Sequence, residues 1–209
     1  MADSGVNLST FATPENYVMQ HILLIDNFDS FTFNLVQLLR ESGVTHQLSI
    51  VKNDADIGLL PAKVDKVIIS PGPGLPHESG KLMPMLNLFA GRCPVLGICL
   101  GHQAIALHYG GKLIQLPHSA HGQVSKAKIT EPRDVIFREI STDFLCGRYH
   151  SWVVDPETLP DALRITALDG QGNIMALKHR ELNITGLQFH PESYMTPEGG
   201  KMINTWLRL

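Results

Sequence analysis

The amino-acid sequence predicts an α/β fold, with an open mixed, mainly parallel sheet flanked by helices. Up to residue 110, apolar runs typical of buried strands alternate with segments of helical periodicity, as in parallel strands joined by right-handed helical crossovers. Beyond residue 112, short strand patterns follow one another with turn signals between them, which favours antiparallel or mixed pairing. Because no linker or repeat divides the chain, residues 19–209 are predicted to form a single domain and residues 1–18 a disordered extension.

The first half begins with a strand, a turn and a helix. Residues 21–26 form an apolar run, after which Ser30 can cap a helix whose apolar positions recur at helical spacing. A later strand ends at the Pro-Gly-Pro-Gly sequence of residues 71–74, where neither a helix nor a strand ladder can continue. The predicted strands of this half are residues 21–26, 47–51, 66–70 and 94–98, and further helices are predicted at residues 80–90 and 100–109.

The second half is predicted to consist mainly of short strands. Asp169-Gly170 together with Gly172-Asn173 is typical of a hairpin loop. The predicted strands are residues 122–130, 144–150, 163–168, 173–178 and 184–189, and a terminal helix is predicted at residues 199–209.

The composition excludes several classes of protein. The 209 residues are 44% hydrophobic and 18% charged, which excludes a disordered chain. Seventeen basic against twenty acidic residues give a net charge of −3, so no basic surface is available for a run of nucleic-acid phosphates. The longest apolar runs are far shorter than the roughly 20 residues of a membrane span. Neither a nucleic acid nor a membrane is therefore expected as a partner.

The three cysteines, Cys93, Cys99 and Cys146, form an odd number without metal-ligand spacing. This usage is typical of a reducing compartment, so a cytoplasmic location is expected. Cys93 and Cys146 are interpreted as packing residues because neither stands between glycines as Cys99 does. His118 and His121 have no third ligand at suitable spacing, so no metal site is expected.

Cys99 stands at the centre of the G-x-C-x-G sequence of residues 97–101, where a predicted strand meets a predicted helix. The same arrangement with serine forms the nucleophile elbow, in which two glycines permit a sharp turn that lifts the central side chain out of the sheet. The partial positive charge of a helix N-terminus favours the thiolate. Cys99 is therefore predicted to be a nucleophile, although a small buried hydrophobic residue would also fit this position.

A cysteine nucleophile needs a base and a group that orients the base. His190 directly follows a predicted strand and Glu192 lies two residues further on, so both side chains point the same way in an extended backbone. Glu192 can then hold the imidazole, as the third member of a catalytic triad does. For a developing oxyanion, the N–H of Leu100 is one predicted donor and that of Gly72 or Gly74 is the other.

Three segments together resemble the class I, or triad-type, glutamine amidotransferases: SPGPG at 70–74, LGICLGHQ at 96–103 and QFHPES at 188–193. The resemblance covers residues 20–209 and implies a flavodoxin-like, three-layer version of the α/β fold. Within the family, DNFDSFTFN at 26–34 and RYHS at 148–151 are similar to the branch that uses chorismate. That branch consists of component II of anthranilate synthase and of aminodeoxychorismate (p-aminobenzoate) synthase.

The resemblance implies a role for each candidate residue. Cys99 would attack the side-chain carboxamide of L-glutamine, His190 would protonate the departing ammonia, Glu192 would hold His190, and water would hydrolyse the glutamyl thioester. The resemblance further implies a glutamine-binding set, which comprises Gly72, Pro73, Gly74, Gln103, Ser151 and Trp152.

Ammonia is useful only if it is delivered to an acceptor. The resemblance therefore implies a hetero-oligomer with component I, a chorismate-binding synthase subunit that is expected to need Mg2+, whereas this chain itself is expected to need no cofactor. Two positions depart from the usual family pattern. Gln123 lies where relatives usually have lysine after His-Gly, and Trp152 replaces a more common aliphatic residue.

Several functions stay open at this point. Anthranilate synthesis, for tryptophan, is favoured over aminodeoxychorismate synthesis, for folate, on general grounds rather than on any residue, and one subunit can serve both. A free-standing thiol hydrolase of γ-glutamyl compounds is a second enzymatic hypothesis. A regulator that has kept the fold without catalysis is a third, and the presence of Cys99, His190 and Glu192 together counts against it.

Overall fold

Nine strands form one mixed sheet in the part of the chain that the structure, a computed structural model, describes, residues 19–132 and 134–209. The extension predicted for residues 1–18 lies outside the described residues. The strands are β1 (Gln20–Asp26), β2 (His46–Lys52), β3 (Lys66–Ile69), β4 (Val95–Ile98), β5 (Leu113–Ile129), β6 (Asp143–Val154), β7 (Leu163–Asp169), β8 (Ile174–His179) and β9 (Ile184–Leu187). The helices are α1 (Thr32–Glu41), α2 (Leu82–Phe89), α3 (Leu100–His108) and α4 (Gly199–Leu207), with short 3₁₀ helices at Ile57–Leu59, Pro76–Glu78, Val135–Phe137 and Pro156–Thr158.

The strand order is β2-β1-β3-β4-β9-β8-β7-β5-β6. The pairings from β2 to β9 are parallel and those from β9 to β6 are antiparallel. The prediction of an α/β fold with a mixed sheet is confirmed, but "mainly parallel" is wrong, because the antiparallel part is as large as the parallel part. The reason is that β5 to β9 are joined by turns and loops rather than by α-helical crossovers, and antiparallel strands need only short connections.

Helices cover both faces of the parallel part. Along β1, Ile22 and Leu24 belong to one core cluster and Leu23 and Ile25 to the other, because successive side chains of a strand point to opposite faces. The first cluster also contains the apolar faces of α1 and α4, and the second those of α2 and α3. Burial on both faces explains why β1, β3, β4 and β9 are mainly apolar runs, whereas the edge strand β2 contains polar residues and is partly exposed.

Several predicted boundaries differ from the structure. Ser30 does not cap α1, which begins after Phe31, and it is Asp29 that accepts a hydrogen bond from the Phe31 N–H, at 2.7 Å. β5 has 17 residues and begins well before the predicted residue 122, and β6 continues to Val154. These strands form a long hairpin with shifts in register, and most β5 side chains between the ends of the strand are exposed, which hides the strand from an apolar pattern.

Two glycines allow α3 to lie directly against the sheet. A Cβ atom on Gly101 would lie 2.7 Å from the carbonyl oxygen of Ile69 in β3, and a Cβ atom on Gly97 would lie 2.4 Å from the backbone of Gly101. No side chain fits in either space without a displacement of backbone. The start of α3, and with it Cys99, is therefore held at a defined place above the ends of β3 and β4.

We predict that Gly101→Ala lowers the free energy of unfolding by about 1–3 kcal/mol, because the added methyl group forces α3 away from β3. Gly170→Ala is the matched control, since its Cβ would meet no atom within 4 Å and its φ is not left-handed. This control is expected to leave stability unchanged or to raise it by no more than about 1 kcal/mol. Urea denaturation of both variants measures the difference, and equal stabilities would contradict the close contact.

Candidate active site

Cys99 lies in a sharp turn between β4 and α3. Its backbone has φ 51° and ψ −97°, a left-handed conformation that is uncommon for a residue with a side chain. The backbone on both sides is fixed, since the Cys99 N–H donates to the Leu187 carbonyl at 2.7 Å and the Cys99 carbonyl accepts from the Gln103 N–H at 3.1 Å. The sulfur is thus presented at the N-terminus of α3, where the helix dipole favours negative charge.

His190 is brought to Cys99 by β9. Because β9 pairs in parallel with β4, the residues that follow the two strands meet at the same edge of the sheet. The backbone after β9 also bonds to β6, since the His190 N–H donates to the Gly147 carbonyl at 3.0 Å. The imidazole ring contacts the rings of Phe31 and Tyr149, with centroids 5.2 and 4.9 Å away. These contacts fix the orientation of the His190 ring, although His190 is far from Cys99 in the sequence.

Glu192 orients the imidazole. Its Oε1 lies 2.6 Å from Nδ1 of His190, and both side chains are buried. An ionised carboxylate can only accept, so this contact places a hydrogen on Nδ1. Nε2, on the opposite side of the ring, is left available for other interactions. Nε2 is buried and has no hydrogen-bond partner within residues 19–132 and 134–209.

The electrostatics favour a charged imidazole. Burial by itself lowers the pKa of His190, but the interactions with Cys99 and Glu192 outweigh it, so that the pKa of His190 is raised above its ordinary value. By contrast, burial raises the pKa of the Cys146 thiol to about 12 and also raises that of Cys93. Cys99 shares the wall of a cavity with the imidazole of His190, an arrangement that can support thiolate chemistry.

Two cavities meet at Cys99. The first has a volume of about 420 Å3 and the second about 390 Å3, and the second contains His190 in its wall. Every residue predicted to bind glutamine or to form the oxyanion hole lies in the wall of the first cavity together with Cys99: Gly72, Pro73, Gly74, Leu100, Gln103, Ser151 and Trp152. Glu192 lies behind His190 and lines neither cavity.

The turn that contains Gly72 and Gly74 is held from below by buried amides. The Asn27 N–H donates to the Ser70 hydroxyl at 2.9 Å, and the Asn27 amide donates to the Ser70 carbonyl at 2.8 Å. A Cβ atom on Gly72 would lie 2.5 Å from the Cβ of Asn27 and 2.8 Å from the Leu100 side chain, so the turn approaches α3 closely. Both glycines line the first cavity, and both stay candidates for the second oxyanion donor.

Some residues of the site were missed by the sequence analysis. Phe31 and Asp29 line the second cavity, Tyr149 lines both, and Gln188 contacts Cys99. All four residues lie inside the segments that carry the family resemblance. The resemblance therefore located this part of the site, but it assigned no role to these residues. Burial raises the pKa of Asp29, although the Phe31 N–H and His190 oppose this effect.

Residues 19–132 and 134–209 contain no group of three or more histidine, cysteine or acidic side chains that could hold a metal ion. His118 lines a separate cavity and His121 the second one, so the two are not brought into one wall. In the same residues, no helix has both the length and the apolar character needed to cross a membrane.

Comparison with known proteins identifies the family. Residues 23–208 match the family model for class-I glutamine amidotransferases. The chain belongs to this family. It is 41% identical over 190 residues to aminodeoxychorismate synthase component 2 of Escherichia coli, with 89% of this chain and 98% of that protein covered. It is 44% identical over 188 residues to anthranilate synthase component 2 of Lactococcus lactis, with 89% and 93% covered.

Two further comparisons concern a longer relative and a solved structure. The chain is 36% identical to the bifunctional protein TrpGD of Thermotoga maritima over 94% of its own length, but it spans only 33% of that longer protein. A solved structure of a glutamine amidotransferase from Thermotoga maritima superimposes with a TM-score of 0.70 at 16% identity, with 90% of this chain and 81% of that chain covered, which shows a shared fold. The resemblance drawn from the three sequence segments is confirmed.

We predict that Glu192→Gln lowers the pKa of His190, because the amide carries no negative charge to stabilise the imidazolium. NMR titration of the ring nitrogens measures this shift. Amidotransferase activity is expected to fall by about 10²–10⁴-fold, because His190 loses the group that orients it and so loses much of its usual contribution as acid and base. Glu157→Gln, a change at an exposed carboxylate, is the control and should alter neither quantity. An unchanged titration of His190 in Glu192→Gln would contradict the role of the carboxylate.

Proposed function

We propose that this chain is the glutaminase subunit of a chorismate-dependent synthase, in which it hydrolyses L-glutamine to glutamate and ammonia. The observation that carries the proposal is the position of Cys99, which shares the wall of the second cavity with His190 and also lines the first cavity of about 420 Å3. Glu192 holds the His190 ring through a contact of 2.6 Å. The relatives named aminodeoxychorismate synthase component 2 and anthranilate synthase component 2 support the proposal.

The first chemical step follows from the charges. The raised pKa of His190 favours the pair of imidazolium and thiolate, so the sulfur can attack the carboxamide carbon of glutamine. The electron pair of the carbonyl bond moves to oxygen, and the Leu100 N–H with that of Gly72 or Gly74 can donate to the oxyanion. When the carbonyl re-forms, the carbon–nitrogen bond breaks, and the proton held on Nε2 of His190 goes to the leaving nitrogen as ammonia forms.

The second step restores the enzyme. The glutamyl group is now a thioester on Cys99, and His190 is neutral and can accept a proton from an attacking water. The tetrahedral intermediate collapses to glutamate and releases the sulfur as a thiolate next to the imidazolium. Glu192 keeps the same ring nitrogen available in both steps by binding Nδ1.

The first cavity is suited to the amino-acid end of glutamine. Gln103 lies one turn along α3 from Cys99, and its amide is held at the cavity wall by a hydrogen bond of 2.9 Å from its Nε2 to the Trp152 carbonyl. The Ser151 hydroxyl lies in the same wall, where it donates to the Ser119 hydroxyl at 2.9 Å. A zwitterionic ligand needs both donors and acceptors, and this wall offers amide and hydroxyl groups of both kinds.

The acceptor of the ammonia is proposed to be component I, a chorismate-binding synthase subunit, and any Mg2+ requirement is assigned to that subunit. Anthranilate synthase is the first candidate for the whole enzyme. Aminodeoxychorismate synthase is the second, because a relative of that name is 41% identical, and another relative, from Bacillus subtilis, is named for both activities at 42% identity. The cytoplasmic location stays a prediction from the cysteine content.

We predict that Cys99→Ala abolishes glutamine-dependent product formation by the reconstituted synthase, whereas formation from added ammonium salts stays at the wild-type rate. The reason is that only the release of ammonia needs the thiol. Cys93→Ala is the matched control and should retain both activities. Glutamine-dependent turnover by Cys99→Ala at the wild-type rate would contradict the assignment of the nucleophile.

We also expect the wild-type chain to be labelled at Cys99 by the glutamine analogue 6-diazo-5-oxo-norleucine, and to stimulate a component I subunit in a glutamine-dependent assay. Anthranilate synthase and aminodeoxychorismate synthase subunits are assayed separately by the product formed. Fast hydrolysis of γ-glutamyl peptides, unaffected by either partner, would instead indicate a free-standing hydrolase. Absence of labelling at Cys99 would indicate a regulator without catalysis.

A further inference from the structure

Gln188 is a fully buried amide that the proposed mechanism does not use. It is the first residue after β9, its exposed fraction is 0%, and its N–H donates to the Met175 carbonyl at 2.9 Å. Its side chain contacts two residues of the site: Nε2 lies 3.7 Å from the sulfur of Cys99, and Oε1 lies 3.3 Å from Nε2 of Gln103. A polar side chain at this depth is costly unless its groups are hydrogen-bonded.

The direction of both amides follows from a backbone carbonyl. The Trp152 carbonyl can only accept, and it lies 2.9 Å from Gln103, so the Gln103 atom on that side must be the nitrogen. The same nitrogen has a second hydrogen, which faces Gln188, so the Gln188 atom on that side must be the oxygen. The remaining group of the Gln188 amide is the nitrogen, and it faces the sulfur of Cys99.

The Trp152 carbonyl is itself held in place. Nδ1 of His150 lies 3.0 Å from it, and Nε2 of the same ring accepts from the Arg148 guanidinium at 3.1 Å, which fixes a neutral ring with its hydrogen on Nδ1. Arg148 forms a buried ion pair with Asp169 at 2.7 Å. The orientation of the amides is therefore set by a continuous series of hydrogen bonds that begins at the β7–β8 turn.

We propose that Gln188 is a positioning residue of the glutaminase site, which donates an N–H to the Cys99 sulfur and holds the Gln103 amide with its oxygen directed away from Gln188. This inference rests on the proposed function and deepens it. Gln103 lines the first cavity, and with its nitrogen engaged by Trp152 and Gln188, its oxygen is the group left for the substrate ammonium.

The donor on sulfur has a physical consequence. A hydrogen bond to a thiolate stabilises the charged form, and the stabilisation is large where water is excluded and the donor is already oriented. A thioester sulfur is a much weaker acceptor than a thiolate. The N–H of Gln188 therefore stabilises the sulfur before attack and after its release more than it stabilises the glutamyl thioester, which favours the hydrolysis step.

Other titratable groups lie around the sulfur. His190 faces it from the segment after β9, with Glu192 behind the ring. His150 on β6 lines the first cavity together with Cys99, and His102 is the third residue of α3. Burial lowers the pKa of His102 to about 4, and burial together with Arg148 lowers that of His150 to about 3. Glu78, Asp29, His121 and Tyr149 also line the cavities that contain Cys99. All of these groups are the same in every variant at position 188, so a difference in the pH profile of the thiol between variants reports on the Gln188 amide.

The test uses the full chain with Gln188→Met, which keeps the length of the side chain without a donor, and Gln188→Glu, which keeps its shape. The rate of alkylation of Cys99 by iodoacetamide is measured against pH by mass spectrometry of the modified peptide. We expect the midpoint of this profile to move up by about one pH unit in Gln188→Met. A larger upward shift is expected in Gln188→Glu, because an ionised carboxylate has no hydrogen to donate and repels the thiolate.

Steady-state kinetics separate the two parts of the inference. With the component I subunit, kcat for glutamine is expected to fall about tenfold, as for the loss of one hydrogen bond to a charged group, and KM is expected to rise because Gln103 loses its orientation. Gln47→Met, at an exposed position of β2, is the control for the change of side chain and should retain the wild-type profile. Unfolding midpoints identify any variant that is poorly folded, and in that case the other variant decides.

A wild-type alkylation profile in a folded variant would overturn the inference. A merely structural role of Gln188 could lower stability or total activity but would leave that midpoint in place. Because alkylation requires neither glutamine nor a partner, this readout tests the contact even if the proposed function is wrong. Failure of the function itself has a different signature, in which the wild-type chain releases no ammonia from glutamine with either synthase partner.

Discussion

The close contact between α3 and the parallel strands determines the direction of the Cys99 side chain. A Cβ atom on Gly101 would meet Ile69 of β3, and one on Gly97 would meet the backbone of Gly101, so α3 begins directly against the strands. Cys99 takes up the sharp turn before α3 with a left-handed backbone at φ 51°, a conformation that costs free energy for any residue except glycine. Hydrogen bonds from the Cys99 N–H to the Leu187 carbonyl and from the Gln103 N–H to the Cys99 carbonyl hold this conformation.

The remaining parts of the site are arranged around this turn by the two halves of the sheet. The parallel half supplies the nucleophile after β4 and the histidine after β9, at adjacent strand ends. The antiparallel half supplies Tyr149, Ser151 and Trp152 from β6. It also holds the histidine, because the Thr196 hydroxyl donates to the His190 carbonyl at 2.6 Å while the Gly147 N–H donates to the Thr196 oxygen at 2.9 Å. The site lies where the halves join.

Burial lowers the pKa of His190, whereas the neighbouring Cys99 and Glu192 raise it. An isolated imidazolium at this depth would lose its proton, and a lone buried carboxylate would also be unfavourable. The contact of 2.6 Å with Glu192 and the nearby sulfur reverse the direction of the pKa change. The same reasoning applies to the polar residues beside them, where each buried amide is bonded to another amide, a carbonyl or the sulfur.

The sequence alone determined the local features of this protein, because each depends on residues that are neighbours along the chain. The glycines on both sides of Cys99 predicted the sharp turn, and the spacing of His190 and Glu192 predicted their contact. The segments that resemble the family predicted which residues line the cavity. Only the tertiary structure decided that β9 lies beside β4, that half of the strand pairings are antiparallel, and that Gln188 and Phe31 reach the site. These features depend on pairing and packing between residues that are far apart in the chain. A local sequence pattern does not contain the free energies of such contacts.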